Sequence, residues 1–223
     1  MTAATHLLDA AYAPLLALSD RLADDGDEAT GWTPTALPGW TVRDLVFHLA
    51  GDAQRALVAL HTPTTAAVDT DAVTYWSHWQ PGGDTDQRGL RATRTMASQW
   101  STVRGPAGVH RETGRAVLHA VAAADPDAVV RTQGHTLTVR TLVSTLAVEA
   151  AVHHLDLAAV LPEPPAASVL AEVRRVCDAL LDTPSPAAWE DVRWARLATG
   201  RATPTAAEAA ALGDRLSRLP LFG

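Results

Sequence analysis

A carboxylate and an imidazole lie one helical turn apart in the apolar segment 142–161. Glu149 and His153 are four residues apart, so on a helix both side chains project from one face, and Asp156 extends that stripe by a further turn. A buried face cannot carry an ionised carboxylate beside an imidazole without compensation. A divalent metal compensates both groups, because it binds the ionised carboxylate and the neutral imidazole. A surface pair is the alternative, which the alanine and valine neighbours disfavour.

His48 is the candidate for a third ligand. Thr41 and Asp44 form a capping-box-like pair at the start of a predicted helix, which places His48 two turns inside it among apolar neighbours. Taken alone, such a position is more typical of a core histidine than of a ligand. If this helix is a neighbour of the one that carries Glu149 and His153, the three side chains form a two-histidine, one-carboxylate set. Such a set leaves coordination positions open, as catalytic metal sites do.

The elements that must position these residues are helices. Apolar periodicity predicts them at 5–23, 41–60, 84–103, 107–124 and 138–161. Gly105-Pro106 is expected to break or kink the chain between the third and the fourth of these helices. The β-branched stretch 129–137 has Gln-Gly-His at its middle and predicts a small turn or hairpin. The connection 61–83 contains Tyr75, Trp76 and Trp79, which could line a pocket mouth or cap the end of the bundle.

The proline-rich step 162–165 marks the predicted domain boundary, between a bundle over 1–161 and a short helical extension over 162–223 that packs on it. Three short helices are expected in the extension. The first covers 165–182, the second begins at Ser185-Pro186 and ends near 200, and the third begins at Thr205, where Glu208 completes a capping box. The apolar ending 218–223 is expected to dock back onto the body.

The composition excludes several classes of partner and site. The chain has 223 residues, 47% of them hydrophobic, and a net charge of −7 with no basic run, which argues against nucleic acid or an anionic membrane as the main partner. The single cysteine, Cys177, excludes an internal disulfide and a cysteine-built zinc site. No basic signal-peptide region and no apolar run of membrane-spanning length are present, so a cytoplasmic protein is expected.

Two stretches together resemble a known family. The stretch 37–45, LPGWTVRDL, followed by HLAG at 48–51, is similar to the metal-binding stretch of the mycothiol-dependent maleylpyruvate isomerase N-terminal domain. The stretch 149–157, EAAVHHLDL, resembles the second metal motif of that domain. The resemblance covers about 5–161 and implies an all-α, DinB-like four-helix bundle, with zinc held by His48, Glu149 and His153. It also implies mycothiol or a similar low-molecular-weight thiol as cosubstrate.

The chemistry that follows is activation of a small thiol. Zinc on two imidazoles and one carboxylate retains Lewis acidity, so a thiol bound at the open position would lose its proton and attack an electrophilic carbon. Asp156 is favoured over Asp44 as the carboxylate that orients a ligating imidazole, because Asp44 already has a capping role. The residues expected to contact the thiol are Trp40, Arg43, Trp76 and Trp79.

Two other classes of function stay open at this stage. The same ligand set could activate water for hydrolysis or hold Fe(II), although a hydrolase needs a general base for which the sequence offers no strong extra candidate. A non-enzymatic helical module that binds a small ligand is the third class, and it would keep its fold and affinity after removal of the metal.

Overall fold

The computed structural model describes residues 3–79 and 84–222, and most of them are helical. The helices are α1 (Ala3–Asp25), α2 (Glu28–Trp32), α3 (Val42–Leu60), α4 (Asp84–Ala97), α5 (Arg104–Ala123), α6 (Val139–Asp156), α7 (Ala167–Leu180), α8 (Asp191–Ala198) and α9 (Ala206–Leu212). The strands β1 (Val129–Thr132) and β2 (His135–Thr138) form one antiparallel pair, and 3₁₀ turns cover Thr74–His78 and Gly213–Arg218. The predicted all-α class is confirmed. Residues 80–83, at the end of the predicted 61–83 connection, lie outside the described residues.

The bundle consists of α1, α3, α5 and α6. Helices α1 and α3 each pack against both α5 and α6, so the four helices surround one core. Leu8 on α1, Leu45 on α3, Val117 on α5 and Val148 on α6 have no exposed surface. This arrangement makes α3 and α6 neighbours, which is the condition for His48 to meet the residues of α6.

Local capping sets the starts of the two helices that carry the candidate ligands. Asp44 N donates to the Thr41 hydroxyl and Thr41 N donates to the Asp44 carboxylate, which completes the predicted capping box of α3. Thr138 caps α6 by accepting from Thr141 N at 3.1 Å. The hairpin ahead of α6 is confirmed, with positive φ at both Gln133 and Gly134 of its two-residue turn.

The prediction of a helix break at Gly105-Pro106 is wrong. Helix α4 ends at Ala97, the interruption covers 98–103, and Gly105-Pro106 forms the first turn of α5. Proline is tolerated there because a first-turn N–H has no partner within the helix. A side chain at residue 105 would also collide with Trp100, since its Cβ would overlap the Trp100 ring.

The three helices predicted after residue 165 are present, but one begins later than expected. Helix α8 starts at Asp191 and not at Ser185-Pro186. Pro186 instead begins a turn closed by the bond from Trp189 N to Pro186 O at 2.9 Å. The Thr205–Glu208 capping box of α9 is confirmed. The division of the chain after residue 161 stays a prediction.

The last described residues dock onto the body, as expected. Leu221 N donates to Ala198 O at 2.8 Å, and the side chains of Leu221 and Phe222 are buried. The Phe222 ring centroid lies 4.4 Å from that of Trp76. Among the described helices, none combines the length and the apolar character that crossing a membrane requires.

A buried histidine gives the bundle a testable pH dependence. His110 on α5 is 1% exposed, its Nδ1 lies 2.7 Å from the Ser19 hydroxyl, and burial lowers its pKa to about 4. The unfolded chain binds a proton near pH 6.5 and the folded chain does not, so stability falls as pH decreases from about 6.5 to about 4. Between about pH 7.5 and 5 this group should cost about 2 kcal/mol.

The measurement is urea unfolding at both pH values for the wild type, His110→Gln and the control His119→Gln, an exposed position on the same helix. His110→Gln should lose about 2 kcal/mol less on acidification than the wild type, and the control should behave like the wild type. Equal losses in all three proteins would contradict the prediction.

Candidate metal centre

Helices α3 and α6 bring His48, Glu149 and His153 together. Glu149 Oε1 lies 3.2 Å from His48 Nε2 and 3.4 Å from His153 Nε2. The imidazole rings of His48 and His153 meet edge to face with centroids 4.8 Å apart. One ligand atom from each of the three residues lies within 4.8 Å of the other two, so the group is able to hold a metal ion.

The spacing of the Glu149 oxygen from each of the two imidazole nitrogens suits a small divalent cation. Zinc binds histidine nitrogen and carboxylate oxygen at about 2.0–2.2 Å, which separates neighbouring ligands of a tetrahedral site by about 3.3–3.5 Å. The distances of 3.2 and 3.4 Å from Glu149 Oε1 to the two Nε2 atoms match this value. The donor types and these two spacings are therefore compatible with the metal.

The electrostatics of the group favour positive charge at its centre. Burial alone would raise the pKa of Glu149, but hydrogen bonds to His153 and His48, together with the charges of both imidazoles, hold it well below its usual range. Burial also opposes charge on His153, yet hydrogen bonds to Asp156 and Glu149 raise its pKa to about 9. Glu149 is thus ionised at neutral pH, as a carboxylate ligand must be, whereas His153 carries a proton that a metal ion would have to displace.

The comparison with protein families rests on most of the bundle. Residues 12–158 match the family model described as the mycothiol maleylpyruvate isomerase N-terminal domain, which is more than half of the chain. The chain belongs to this family. A search of the curated proteins and a search of the solved structures each returned no match. The family assignment places the bundle in a mycothiol-related, DinB-like group with a helical fold.

Asp156, which lies inside the segment matched by the isomerase N-terminal domain family, contacts the candidate ligand His153. Its Oδ2 lies 3.0 Å from His153 Nδ1, and donation from this nitrogen leaves Nε2 facing Glu149. Asp156 has no exposed surface, and it also binds two nitrogens of Arg201, each at 3.1 Å. Burial raises the pKa of Asp156, but the hydrogen bond to His153 and the charge of Arg201 bring it below its usual range.

The main chain of Asp156 makes a further contact. Ala36 N donates to Asp156 O at 2.9 Å, which ties the loop before α3 to the end of α6. Three parts of the chain therefore meet at this one residue: the loop 33–41, helix α6, and the segment that carries Arg201. Sequence reasoning selected Asp156 from its position on the helix but missed Arg201, which no local pattern connects to α6.

Asp52 is a second residue that sequence reasoning missed. It lies one turn after His48 on α3, and its Oδ2 is 3.3 Å from His48 Nε2. The residue is 5% exposed, and within the described part of the chain Oδ2 has no hydrogen-bond partner, whereas the other oxygen binds Arg55. Burial is the largest influence on this carboxyl and raises its pKa. The four-residue spacing from His48 was the available signal, because the same spacing singled out Glu149 and His153.

The four residues expected to contact a thiol occupy different places. Trp40 lies beside the candidate ligands, with its ring edge to face with His48 at a centroid distance of 5.5 Å. Arg43 is directed elsewhere, since it donates to Trp100 O at 3.1 Å and its guanidinium lies over the Trp32 ring.

The other two of the four lie on the 3₁₀ turn at Thr74–His78 or directly after it. Trp76 is 4% exposed and its ring packs on that of Phe222, so its contacts are those of a core residue. Trp79 is partly exposed and lies 6.1 Å from the ring of Tyr75. Of the four, the structure therefore brings Trp40 to the candidate ligands and places Arg43 and Trp76 in packing contacts, while a role in thiol binding stays a prediction.

An open cleft of about 520 Å³ leads to His48. Phe47 and Met96 contribute apolar surface to it, and Arg55, Arg131 and Gln133 contribute polar groups. The Gln133 side chain contacts the Tyr75 hydroxyl, which connects the hairpin turn to the 61–79 segment. The cleft provides space for a small molecule next to the imidazole of His48, whose side chain is 22% exposed. In contrast, His154 is directed away from the cleft and donates from Nε2 to Glu163 O at 2.6 Å.

Proposed function

We propose that this protein is an enzyme in which His48, Glu149 and His153 hold one divalent ion, zinc by preference, that activates a low-molecular-weight thiol such as mycothiol for attack on a small electrophile. The observation that carries the proposal is the three-donor group, in which Glu149 Oε1 lies 3.2 and 3.4 Å from the two imidazole nitrogens and His48 also lines an open cleft. Membership of the mycothiol-related family supports the choice of thiol.

Zinc is preferred because the donors are two imidazoles and one carboxylate, and a three-ligand set leaves a position for a substrate. When bound, such an ion acts as a Lewis acid and lowers the pKa of a thiol or water that it coordinates. The chain keeps the donors in place. Asp156 accepts from His153 Nδ1 and so sets the orientation of that ring, while Trp40 packs on the edge of His48 and restricts its rotation.

The cleft has the properties that the two substrates require. Phe47 and Met96 offer it apolar surface beside His48, and its arginine side chains offer hydrogen-bond donors to the body of the thiol. For an electrophile with an activated double bond, the sulfur forms a bond to one carbon and the thiol proton ends on the adjacent carbon. The adduct then contains all atoms of both substrates, and no oxidant or reductant is consumed.

A hydrolase is the second candidate, and Asp52 favours it. Metal-dependent hydrolysis needs a carboxylate beside the metal that orients the attacking water. Asp52 Oδ2 lies 3.3 Å from His48 Nε2, and no group of the described residues forms a hydrogen bond with it. Asp52 therefore supplies a candidate for the general base of a hydrolase, for which the sequence offered no strong candidate.

The experiment that separates the candidates is a thermal-shift titration of zinc-loaded and chelated protein with mycothiol. Mycothiol should raise the melting temperature of the zinc-loaded protein, because a ligand at 100 times its Kd stabilises the folded state by about 2.7 kcal/mol. S-methyl mycothiol is the matched control, since it keeps the body of the molecule but lacks the ionisable thiol, and it should bind more weakly. No shift with mycothiol in the zinc-loaded protein would contradict the thiol proposal, and an equal shift after chelation would favour the non-enzymatic binding module.

A further inference from the structure

We infer that Arg201 is a positioning residue of the metal centre, acting through Asp156 on His153. The inference rests on the metal-binding part of the proposed function. Arg201 lies between α8 and α9, beyond residue 158, where the match to the family ends. The segment after α6 therefore supplies a contact that the bundle does not make for itself.

Arg201 and Asp156 form a bidentate salt bridge. Arg201 Nε donates to Asp156 Oδ1 and Nη2 donates to Oδ2, both at 3.1 Å. The third nitrogen, Nη1, donates to Thr199 O at 2.8 Å, which fixes the other end of the guanidinium. The Arg201 side chain is 7% exposed and that of Asp156 is 0% exposed. A planar fork of this kind determines the plane of a carboxylate as well as its position.

The plane of the carboxylate matters because Asp156 Oδ2 also accepts from His153 Nδ1 at 3.0 Å. Rotation of the carboxylate would lengthen this bond and release the imidazole, whose Nε2 lies 3.4 Å from Glu149 Oε1. A fully buried carboxylate without a cationic partner would also be strongly destabilised. Arg201 therefore fixes the orientation of His153 through one intermediate residue.

The backbone explains how Arg201 reaches α6. Helix α8 ends at Ala198, and Gly200 follows with φ of +76°, the left-handed conformation that commonly ends a helix. The chain reverses at this residue, and Arg201 N donates to Arg196 O at 2.7 Å. A Cβ at position 200 would lie 3.1 Å from Pro220, so the tight packing of the apolar ending 218–223 also favours glycine there. The reversal directs the Arg201 side chain back to the end of α6.

Arg193 provides a matched control in the same part of the chain. It binds both carboxylate oxygens of Glu208, at 2.7 and 2.6 Å, and thus also forms a two-point pair. Its partner is the capping residue of α9 and makes no contact with the candidate ligands. Loss of the Arg193 pair should affect the local structure of the extension without affecting the orientation of His153.

The test measures the Zn²⁺ dissociation constant by competition with a chromogenic chelator, so its readout does not depend on any thiol reaction. Arg201→Gln should weaken Zn²⁺ binding about tenfold, at the lower end of the 10–100-fold range for residues that hydrogen-bond to a metal ligand. Arg201→Lys keeps the positive charge but cannot form both hydrogen bonds of the planar guanidinium. Its Zn²⁺ dissociation constant should therefore lie between those of Arg201→Gln and the wild type. Arg193→Gln should bind Zn²⁺ like the wild type. Circular dichroism of each zinc-free variant establishes that it is folded before the titration.

A double-mutant cycle tests whether Arg201 acts through Asp156. Asp156→Asn removes the carboxylate, so adding Arg201→Gln to it should weaken Zn²⁺ binding no further. Additive effects in the cycle, or an Arg201→Gln protein with wild-type affinity, would overturn the inference. The visible absorption of the Co²⁺-loaded proteins is the second readout, because it responds to ligand orientation and should change in Arg201→Gln but not in Arg193→Gln. A wild-type protein that binds no Zn²⁺ would overturn the proposed function itself, which is a different result from unchanged binding in the Arg201 variants.

Discussion

Replacement of His48, Glu149 or His153 by alanine, one at a time, is expected to abolish stoichiometric binding of Zn²⁺. Each variant leaves two donor atoms of the three that lie within 4.8 Å of one another, and two donors hold zinc far more weakly than three. The loss should exceed the 10–100-fold effect typical of residues that only hydrogen-bond to a ligand. The proposed thiol chemistry should be lost with the metal, because it depends on the Lewis acidity of the ion.

The measurement is the metal content of each protein purified without chelator, followed by competition titration. His154→Gln is the matched control, because His154 follows His153 on α6 but donates to Glu163 O and is not one of the three candidate ligands. Wild-type protein and the control should carry about one zinc ion per chain. A variant at position 48, 149 or 153 that retained full metal content would remove that residue from the site.

The second large effect concerns stability and separates packing from metal binding. Leu8→Ala should lower the free energy of unfolding by roughly 2–5 kcal/mol, because Leu8 has no exposed surface in the core of the bundle. The cost should be the same with and without Zn²⁺, since Leu8 lies on α1, whereas the ligands lie on α3 and α6. Urea unfolding of the two proteins, each with zinc and with chelator, gives the four values needed.

The same four curves report the effect of chelation. The zinc-free wild type should stay helical and unfold cooperatively at a lower denaturant concentration, and should recover its original midpoint when Zn²⁺ is added. Apolar packing among the four helices is the main source of stability, so loss of one ion removes only part of it. A chelated protein that unfolds at room temperature would show that the metal is structural, and the proposed function would lose its main physical support.

The parts of the site that follow from local spacing were predictable. Glu149, His153 and Asp156 share one face of α6 because they are separated by four and three residues, and this geometry belongs to any helix. The meeting of His48 with α6 depends on which helices are neighbours, which periodicity does not determine, and it was the family resemblance that implied the pairing. Asp52 was within reach of the same spacing argument but was not considered as a site residue.

The parts that depend on long-range packing were not predictable. Arg201 is 45 residues from Asp156, in a turn between two short helices, and reaches it only because α8 packs against α6. The error at Gly105-Pro106 has a different cause. Proline was treated as a helix breaker without regard to its place in the helix, and in the first turn of α5 it removes no hydrogen bond.

The contact between Asp156 and Arg201 has a consequence for protein engineering. The family match ends at residue 158, so a fragment designed from the family boundary would retain the aspartate and lose its cationic partner. Such a fragment contains every candidate ligand, yet it would lack the guanidinium that orients the Asp156 carboxylate and the helices α7 and α8 that pack against α6. The smallest unit suitable for expression or for transplanting the centre into another scaffold therefore continues past Gly200, and exchange of α7–α9 between relatives would succeed only where the incoming segment restores a guanidinium at this place.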